Sequence, residues 1–176
     1  MMDKTYIEIV RLLLESAPAI FETPHFAMKG GTAINLFIED IPRLSVDIDV
    51  VYTDHQATRE EALKSISSGL DAVRKRLAKL GMEANISATK EGDEIKLFIQ
   101  RGRNQVKVEV NHVFRGTVLP VETRQLGGAA RKLFTTELSV PVLAAPELTA
   151  ANLSPRWIAS IRATCLMFTG FSSVTD

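Results

Sequence analysis

The succession of helical and strand-like patterns along this chain predicts an α+β fold, a mixed sheet with helices packed on it. An amphipathic helical pattern comes first. It is followed by a short apolar run that ends at a glycine pair, an alternating strand that carries two acids, a long helix and three further strand-like segments. At 176 residues, the chain can bury the core of one domain but is short for two. We expect one catalytic domain over residues 1–148 and an atypical tail over 149–176.

Three segments are predicted as helices. Apolar residues recur at helical spacing over residues 6–17, and the run Thr23-Pro24-His25 breaks that pattern. A long helix is predicted over residues 58–80, ending at Gly81. A shorter helix is expected after the glycine pair, with Thr32 as its N-terminal cap.

Alternating or short apolar runs predict the strands. They cover residues 26–28, 46–52, 84–89, 95–101, 106–113 and 140–142. Turn residues at 92–93 and 102–104 separate the three middle segments in the manner of hairpins. These strands supply the sheet on which the candidate site residues lie.

Three acids on the predicted strands form the candidate catalytic and metal-binding set. Asp47 and Asp49 are two residues apart on one strand, so their carboxylates point to the same face, about 6–7 Å apart along the chain. Glu109 projects from residues 106–113, where valines alternate with Lys107 and Glu109. If the two strands are neighbours, three carboxylates converge, the minimum for a two-metal phosphoryl-transfer site. Each acid also has an ordinary interpretation, either as part of a solvated face or, for Glu109, as an ion pair with Lys107.

A glycine turn next to a basic residue is the candidate phosphate-binding site. The pair Gly30-Gly31 lets backbone N–H groups approach an anion closely, and the N-terminus of a helix favours negative charge. Thr32 adds a hydroxyl and Lys29 adds a positive charge. Two glycines before a helix are usually only a turn, so the interpretation depends on their combination with the acidic strands.

Charge and cysteine content limit the partners and the compartment. Lys+Arg and Asp+Glu both number 21, so a nucleic-acid partner would need a local basic patch. The candidates are two basic groups, Arg74-Lys75-Arg76 with Lys79, and Lys96 with Arg101 and Arg103. The single Cys165 cannot form an internal disulfide, and neither a signal peptide nor a bilayer-spanning stretch is found. We therefore expect a cytoplasmic protein with no membrane partner.

These motifs resemble the nucleotidyltransferase superfamily, and more specifically its AbiEii/AbiGii toxin branch. Members of that branch read like Met28-Lys29-Gly30-Gly31-Thr32-Ala33, followed by Arg43-Leu44-Ser45-Val46-Asp47-Ile48-Asp49-Val50 and a later single strand acid. The resemblance spans about residues 6–148. It implies the nucleotidyltransferase (polymerase-beta-like) fold.

The resemblance implies a magnesium-dependent transfer of a nucleotide from an NTP to an acceptor, with pyrophosphate as the leaving group. Asp47, Asp49 and Glu109 would bind Mg²⁺, with Mn²⁺ as an alternative, and Glu109 would also help to activate the acceptor hydroxyl. The nucleotide-binding residues would be Lys29, Gly30, Gly31, Thr32, Arg43 and Ser45. The last two, which lead into the acidic strand, would either order the preceding loop or touch phosphate. Relatives are toxins of toxin–antitoxin or phage-defence systems, and some modify tRNA acceptor ends. A tRNA acceptor and a cognate antitoxin are therefore the expected macromolecular partners.

The tail departs from the family pattern, which continues with a lysine-bearing helix and an Arg-Asp-x-Phe-Asp motif. It contains Trp157 and Cys165, each the only one of its kind, and has no acid between Glu147 and Asp176. Codons for residues 149–176 can be chosen so that the same bases, read with one extra base in front, encode YGGKLVAAMDRKHPRDMFD and a helical continuation. We interpret the tail as a frame-shifted translation, the alternative being a divergent segment.

Other functions stay open at this point. The chain could be an impaired fragment that only binds nucleotide or a partner, or a transferase that modifies small molecules. It could also be an unrelated α+β binding module whose acids are solvated. Movement of label from an NTP to RNA or protein separates active nucleotidyl transfer from the impaired fragment. Failure to bind magnesium or manganese would favour the unrelated binding module.

Overall fold

The computed structural model describes residues 4–39, 46–88, 94–111 and 116–152. The helices in these ranges are α1 (Lys4–Phe21), α2 (Gly30–Ala33), which continues as a π-helical turn (Ile34–Ile38), α3 (Arg59–Lys79), α4 (Gly128–Phe134) and α5 (Ala145–Asn152). The strands are β1 (Phe26–Lys29), β2 (Asp47–Tyr52), β3 (Glu83–Ala88), β4 (Glu94–Arg101), β5 (Asn104–Asn111), β6 (Glu122–Gln125) and β7 (Ser139–Val142).

The strands form one mixed sheet in the order β3-β4-β5-β2-β1-β7-β6. The parallel pairs are β2 with β5 and β1 with β7, whereas the remaining neighbours are antiparallel. A parallel pair needs a crossover, and between β2 and β5 the chain supplies α3 and the hairpin of β3 and β4. The mixed sheet and the α+β class predicted from the sequence are confirmed.

Alternation along the central strands decides which face of the sheet is buried. Val106, Val108 and Val110 of β5 are fully buried, whereas Lys107 and Glu109 between them are only partly buried. Helix α1 contacts β5 and β1, α3 contacts β3, and the two helices contact each other. Since the apolar face of β5 is the buried one, these helices cover that face and leave the charged face away from them.

The elements with the strongest patterns lie where the sequence predicts them. Helix α1 extends the predicted 6–17 segment at both ends, and α3 begins at a capping box. There the hydroxyl of Thr58 accepts from the Glu61 N–H, and the Glu61 carboxylate accepts from the Thr58 N–H. Gly102 and Arg103 form the two-residue turn between β4 and β5, with Gly102 at φ +61°. The other predicted turn, residues 92–93, lies outside the described residues.

Three elements of the last third were not predicted, namely β6, α4 and α5. Strand β6 is the Glu-Thr-Arg-Gln run at one edge of the sheet, and it is mostly exposed, so it carries no apolar alternation. Helix α5 extends across the predicted domain boundary at residue 148, and Leu148 within it is fully buried. The frame-shift hypothesis for 149–176 mainly concerns residues outside the described ranges and stays a prediction.

Candidate active site

The sheet brings the predicted acids together across two neighbouring strands. In the parallel pairing of β2 with β5, Asp49 lies opposite Glu109 and Asp47 lies opposite Lys107. Paired residues share a face, so all three acids project from the side of the sheet opposite the buried valines. The condition that the sequence left open, that the two acidic strands are neighbours, is therefore met.

The next strands on either side extend this row with basic residues. Strand β1 places Lys29 opposite Asp49, and β4 places Lys96 opposite Glu109. One level of the sheet thus carries Lys96, Glu109, Asp49 and Lys29 in lateral order, with charges that run positive, negative, negative, positive. The acids lie in the centre of the row, where like charges are adjacent.

Two lysines contact the acids directly. The Lys107 Nζ lies 3.1 Å from Asp47 Oδ2 and 3.1 Å from Glu109 Oε1, and the Lys96 Nζ lies 3.3 Å from the same Glu109 oxygen. Hydrogen bonds first to Glu109 and then to Asp47 raise the pKa of Lys107. Partial burial acts to raise the pKa of Glu109, but the hydrogen bonds from Lys107 and Lys96 outweigh it, and the pKa is lowered. The ion pair that the sequence offered as the ordinary interpretation of Glu109 is present.

Asp49 has a different environment from the other two acids. It is half-buried, and among the described residues no hydrogen bond or salt bridge reaches its carboxylate. Desolvation raises its pKa, and the charges of Glu109 and Asp47 add to the effect, with Lys29 opposing it through space. Asp49 is therefore the acid whose negative charge is least compensated.

The glycine turn lies directly against this acid. Gly30 has φ +78°, a left-handed conformation that favours glycine, and an ideal Cβ on it would lie 2.1 Å from Asp49 Oδ2. At Gly31, in contrast, a Cβ would meet no atom within 4 Å. The first glycine thus allows the backbone at the start of α2 to touch the acidic strand, and the second leaves open space above it.

Thr32 does not cap the helix, contrary to the prediction. Helix α2 begins earlier, at Gly30, with Lys29 in the N-cap position and no side-chain cap. Thr32 is instead fully buried, and its hydroxyl donates to the backbone oxygen of Asp47 at 2.6 Å. The hydrogen bond ties α2 to the acidic strand, so in this conformation the hydroxyl faces the protein and not a ligand. Arg43 and Ser45, the other predicted nucleotide-binding residues, lie outside the described residues.

The predicted basic patches serve partly as structural groups. Arg76 Nη1 donates to the backbone oxygen of Ala19 and, at 3.1 Å, to Thr23 Oγ1, and its Nε lies 3.3 Å from Glu22 Oε2. These contacts hold the C-terminal end of α1 against α3. Arg101 forms an ion pair with Glu15 of α1, so it too packs elements together.

The sequence identified Lys107 only as a neighbour of Glu109, and Lys96 only as a candidate for steering RNA. For Lys107, the sequence did contain a signal: it lies two residues before Glu109 on an alternating strand, so the two side chains share a face. The position of Lys96 depends on the register of β4 against β5, which no local pattern reveals. Within the described ranges, no three Asp, Glu, His or Cys side chains are arranged to hold a metal ion as they stand. The Lys107 ammonium lies between two of the acids.

Comparison with known proteins identifies both the class of this protein, a nucleotidyltransferase, and its family. The family model described as the nucleotidyl transferase AbiEii toxin of the Type IV toxin–antitoxin system matches residues 11–152. Because that match covers most of the chain, this protein belongs to the AbiEii nucleotidyltransferase toxin family. The family resemblance inferred from the motifs is confirmed.

A solved structure supports the fold assignment. The chain is similar to MenT4, a nucleotidyltransferase toxin from Mycobacterium tuberculosis H37Rv, with a TM-score of 0.54 and 21% sequence identity over 82% of this chain and 51% of that chain. The chain thus spans about half the length of MenT4, and the likeness concerns the fold. No curated protein sequence matches the chain. Across the described helices, none is long and apolar enough to span a membrane.

Proposed function

We propose that the charged face of the sheet is a divalent-metal-dependent nucleotidyltransferase site, and that the protein is the toxin of a toxin–antitoxin pair. The observation that carries the proposal is the parallel register of β2 with β5, which sets Asp47, Asp49 and Glu109 on one face beside the Gly30 turn. Acids on one face, adjacent to a backbone turn open to anions, are the combination that phosphoryl transfer requires.

The residues present fit a magnesium ion in their chemistry. Mg²⁺ takes oxygen ligands and is commonly held by one or two carboxylates together with substrate phosphates. Asp49, Asp47 and Glu109 would be the ligands, and the charge of Asp49, the least compensated of the three acids, is what a cation would neutralise. Such an ion supplies Lewis-acid polarisation and neutralises the charge of the phosphates. Mn²⁺ has the same ligand preference and is the natural probe.

The rest of the site would bind and orient the triphosphate. The N–H groups in the first turn of a helix have no partner within that helix, and here that turn comprises Gly30, Gly31 and Thr32. Lys29, the last residue of β1, adds a positive charge directly before this turn. The buried hydroxyl of Thr32 would act indirectly, by fixing the turn against Asp47. Arg43 and Ser45, which precede β2 in the sequence, are proposed as further phosphate contacts.

The reaction would join an acceptor hydroxyl oxygen to the α-phosphorus of the NTP, while the bond from that phosphorus to the pyrophosphate oxygen breaks. Glu109 is proposed to receive the hydroxyl proton, because it is a carboxylate on the strand beside Asp49, on the same face of the sheet as the other acids. We propose an RNA acceptor, such as a tRNA end, and a cognate antitoxin as protein partner. Membership of the AbiEii toxin family and the similarity to MenT4, a nucleotidyltransferase toxin, support this biological setting. We propose phage defence as one form that it takes.

The direct test is label transfer. The purified chain would be incubated with each α-³²P-labelled NTP and total tRNA, with Mg²⁺ or Mn²⁺. We expect label in RNA from one or a few NTPs, loss of the signal with EDTA, and loss of at least about 100-fold in rate in Asp49→Asn, because metal-dependent charge stabilisation supplies several kcal/mol. Absence of transfer to RNA, protein or small-molecule acceptors, with no Mn²⁺ binding, would refute the proposal.

A second candidate function is nucleotide or partner binding without turnover. The contacts of Lys107 and Lys96 with the acids favour it, because lysines that stay in place would exclude the metal. Retention of labelled NTP on the chain without transfer to any acceptor, at saturating Mg²⁺, would identify this case.

A further inference from the structure

We infer that Lys107 is an internal counter-ion of the acidic site, which competes with the divalent cation and sets how much metal the site requires. The inference rests on the proposed function, since it concerns the same three acids. Its basis is the position of one ammonium group at 3.1 Å from carboxylate oxygens of two different strands, Asp47 on β2 and Glu109 on β5.

An ammonium in this position and a divalent ion need the same oxygens. A metal ion bound to Asp47 Oδ2 and Glu109 Oε1 would lie next to the Lys107 Nζ, and both are cations, so their repulsion disfavours joint occupancy. Lys96 approaches Glu109 from β4, at 3.3 Å, whereas the Lys107 ammonium contacts acids of both β2 and β5. The competition therefore falls on Lys107.

The lysine side chain is free to withdraw. Its side chain is 33% exposed and that of Asp47 is 41% exposed, so the ammonium can exchange the carboxylates for water without unfolding the sheet. Its strand remains held by the buried valines on the other face. Without metal, Lys107 compensates two of the three acids and stabilises the strand pair. With metal, the ammonium is released to solvent.

The experiment compares Lys107→Gln with Lys132→Gln in the full chain. Lys132 is an exposed lysine of α4, outside the site. We expect Lys107→Gln to have a lower Tm without metal, and to bind Mn²⁺ about three- to tenfold more tightly by calorimetry, the range expected for removing one partly exposed charge interaction. Lys132→Gln should match the wild type in both. Unchanged or weaker Mn²⁺ binding by Lys107→Gln overturns the inference.

A footprint on the unmodified chain keeps the test independent of folding of the variant. Acetylation of lysines by an amine-reactive reagent, quantified by mass spectrometry, should increase at Lys107 when Mg²⁺ is saturating, whereas Lys132 should not change. No increase at Lys107 overturns the inference.

The variants Asp47→Asn and Glu109→Gln separate failure of the competition from failure of the proposed metal site itself. If they abolish Mn²⁺ binding but Lys107→Gln does not strengthen it, only the competition is wrong. If they leave Mn²⁺ binding unchanged, the proposed metal site fails and the inference falls with it.

Discussion

Replacing Gly30 by alanine tests the contact between the glycine turn and the acidic strand. The added methyl group would be placed 2.1 Å from Asp49 Oδ2 and 2.9 Å from its Cγ, far inside van der Waals contact. The residue also has φ +78°, where an L side chain is strained. Gly31→Ala is the matched comparison, because a Cβ there meets nothing within 4 Å.

The two substitutions should change stability in opposite directions. A left-handed residue costs about 1–2 kcal/mol, and moving the Asp49 carboxylate off its preferred rotamer costs about 0.5–1.5 kcal/mol more. Gly30→Ala should therefore lower the free energy of unfolding by about 2–3 kcal/mol. Alanine at position 31 removes the backbone entropy that glycine loses in a helix, so Gly31→Ala should raise stability by up to about 1 kcal/mol.

Urea unfolding at pH 7 without metal measures both changes from the midpoints, provided that the slopes stay equal. A double-mutant cycle with Asp49→Ala isolates the steric part. Without the carboxylate, the nearest atom to the added methyl group is the Cβ of residue 49, at 3.2 Å, so Gly30→Ala should cost mainly the left-handed strain. The coupling free energy should therefore be about 1 kcal/mol. Equal stability of Gly30→Ala and wild type, or a coupling near zero, would refute the close approach of the turn to Asp49.

Four further outcomes follow from contacts elsewhere in the site and the core. Asp49→Asn should stabilise the metal-free protein at neutral pH. The pKa of Asp49 is raised in the folded protein, so its ionised carboxylate destabilises the fold at pH values above that pKa. This destabilisation disappears when the pH falls below the pKa of Asp49 in the unfolded chain. The difference in urea midpoint between Asp49→Asn and wild type should therefore vanish in acid. Arg76→Gln should lose about 1–2 kcal/mol in urea unfolding through its contacts at the end of α1, whereas Lys75→Gln, on the exposed side, should lose less than about 0.5 kcal/mol. Equal losses would contradict the structural role of Arg76. Thr58→Ala should cost about 1 kcal/mol through the capping box of α3, read from the thermal midpoint. Leu97→Ala should cost about 2–5 kcal/mol by the same assay, because Leu97 is fully buried.

The central part of the fold was predictable because its patterns are local. The alternation of apolar and polar residues along β5 and at the start of β2 shows which side of each strand is buried, and the long helix carries its own capping residues. The edge strand β6 has no apolar alternation, because a mostly exposed edge strand does not require apolar residues on either face. Thr32 is a related case. A hydroxyl before a helical run can cap that helix or form a hydrogen bond elsewhere. Here it donates to the Asp47 backbone oxygen, which packing of distant segments brings close to Thr32.

The candidate site was predictable in its acids but not in its cations. Two acids spaced by two on a strand must share a face, and a third strand acid needs only the right neighbour. The lysines depend on register between strands distant in sequence, with Lys96 opposite Glu109 only because β4 pairs with β5 as it does. Local spacing therefore identified the chemistry of the site, while long-range packing determined its charge balance.

That charge balance determines where the binding energy for a metal would arise. Glu109 and Asp47 already have ammonium partners. A divalent ion that replaces Lys107 there gains only the difference between its own interaction free energy with these acids and that of the ammonium. Asp49 has no such partner among the described residues and is held in a partly desolvated position with a raised pKa. A cation that reaches Asp49 relieves an existing penalty, so Asp49 should contribute more to metal affinity than Asp47 does. Mn²⁺ calorimetry on Asp49→Asn and Asp47→Asn would show the larger loss for Asp49→Asn, and the reverse order would contradict this assignment of the uncompensated charge.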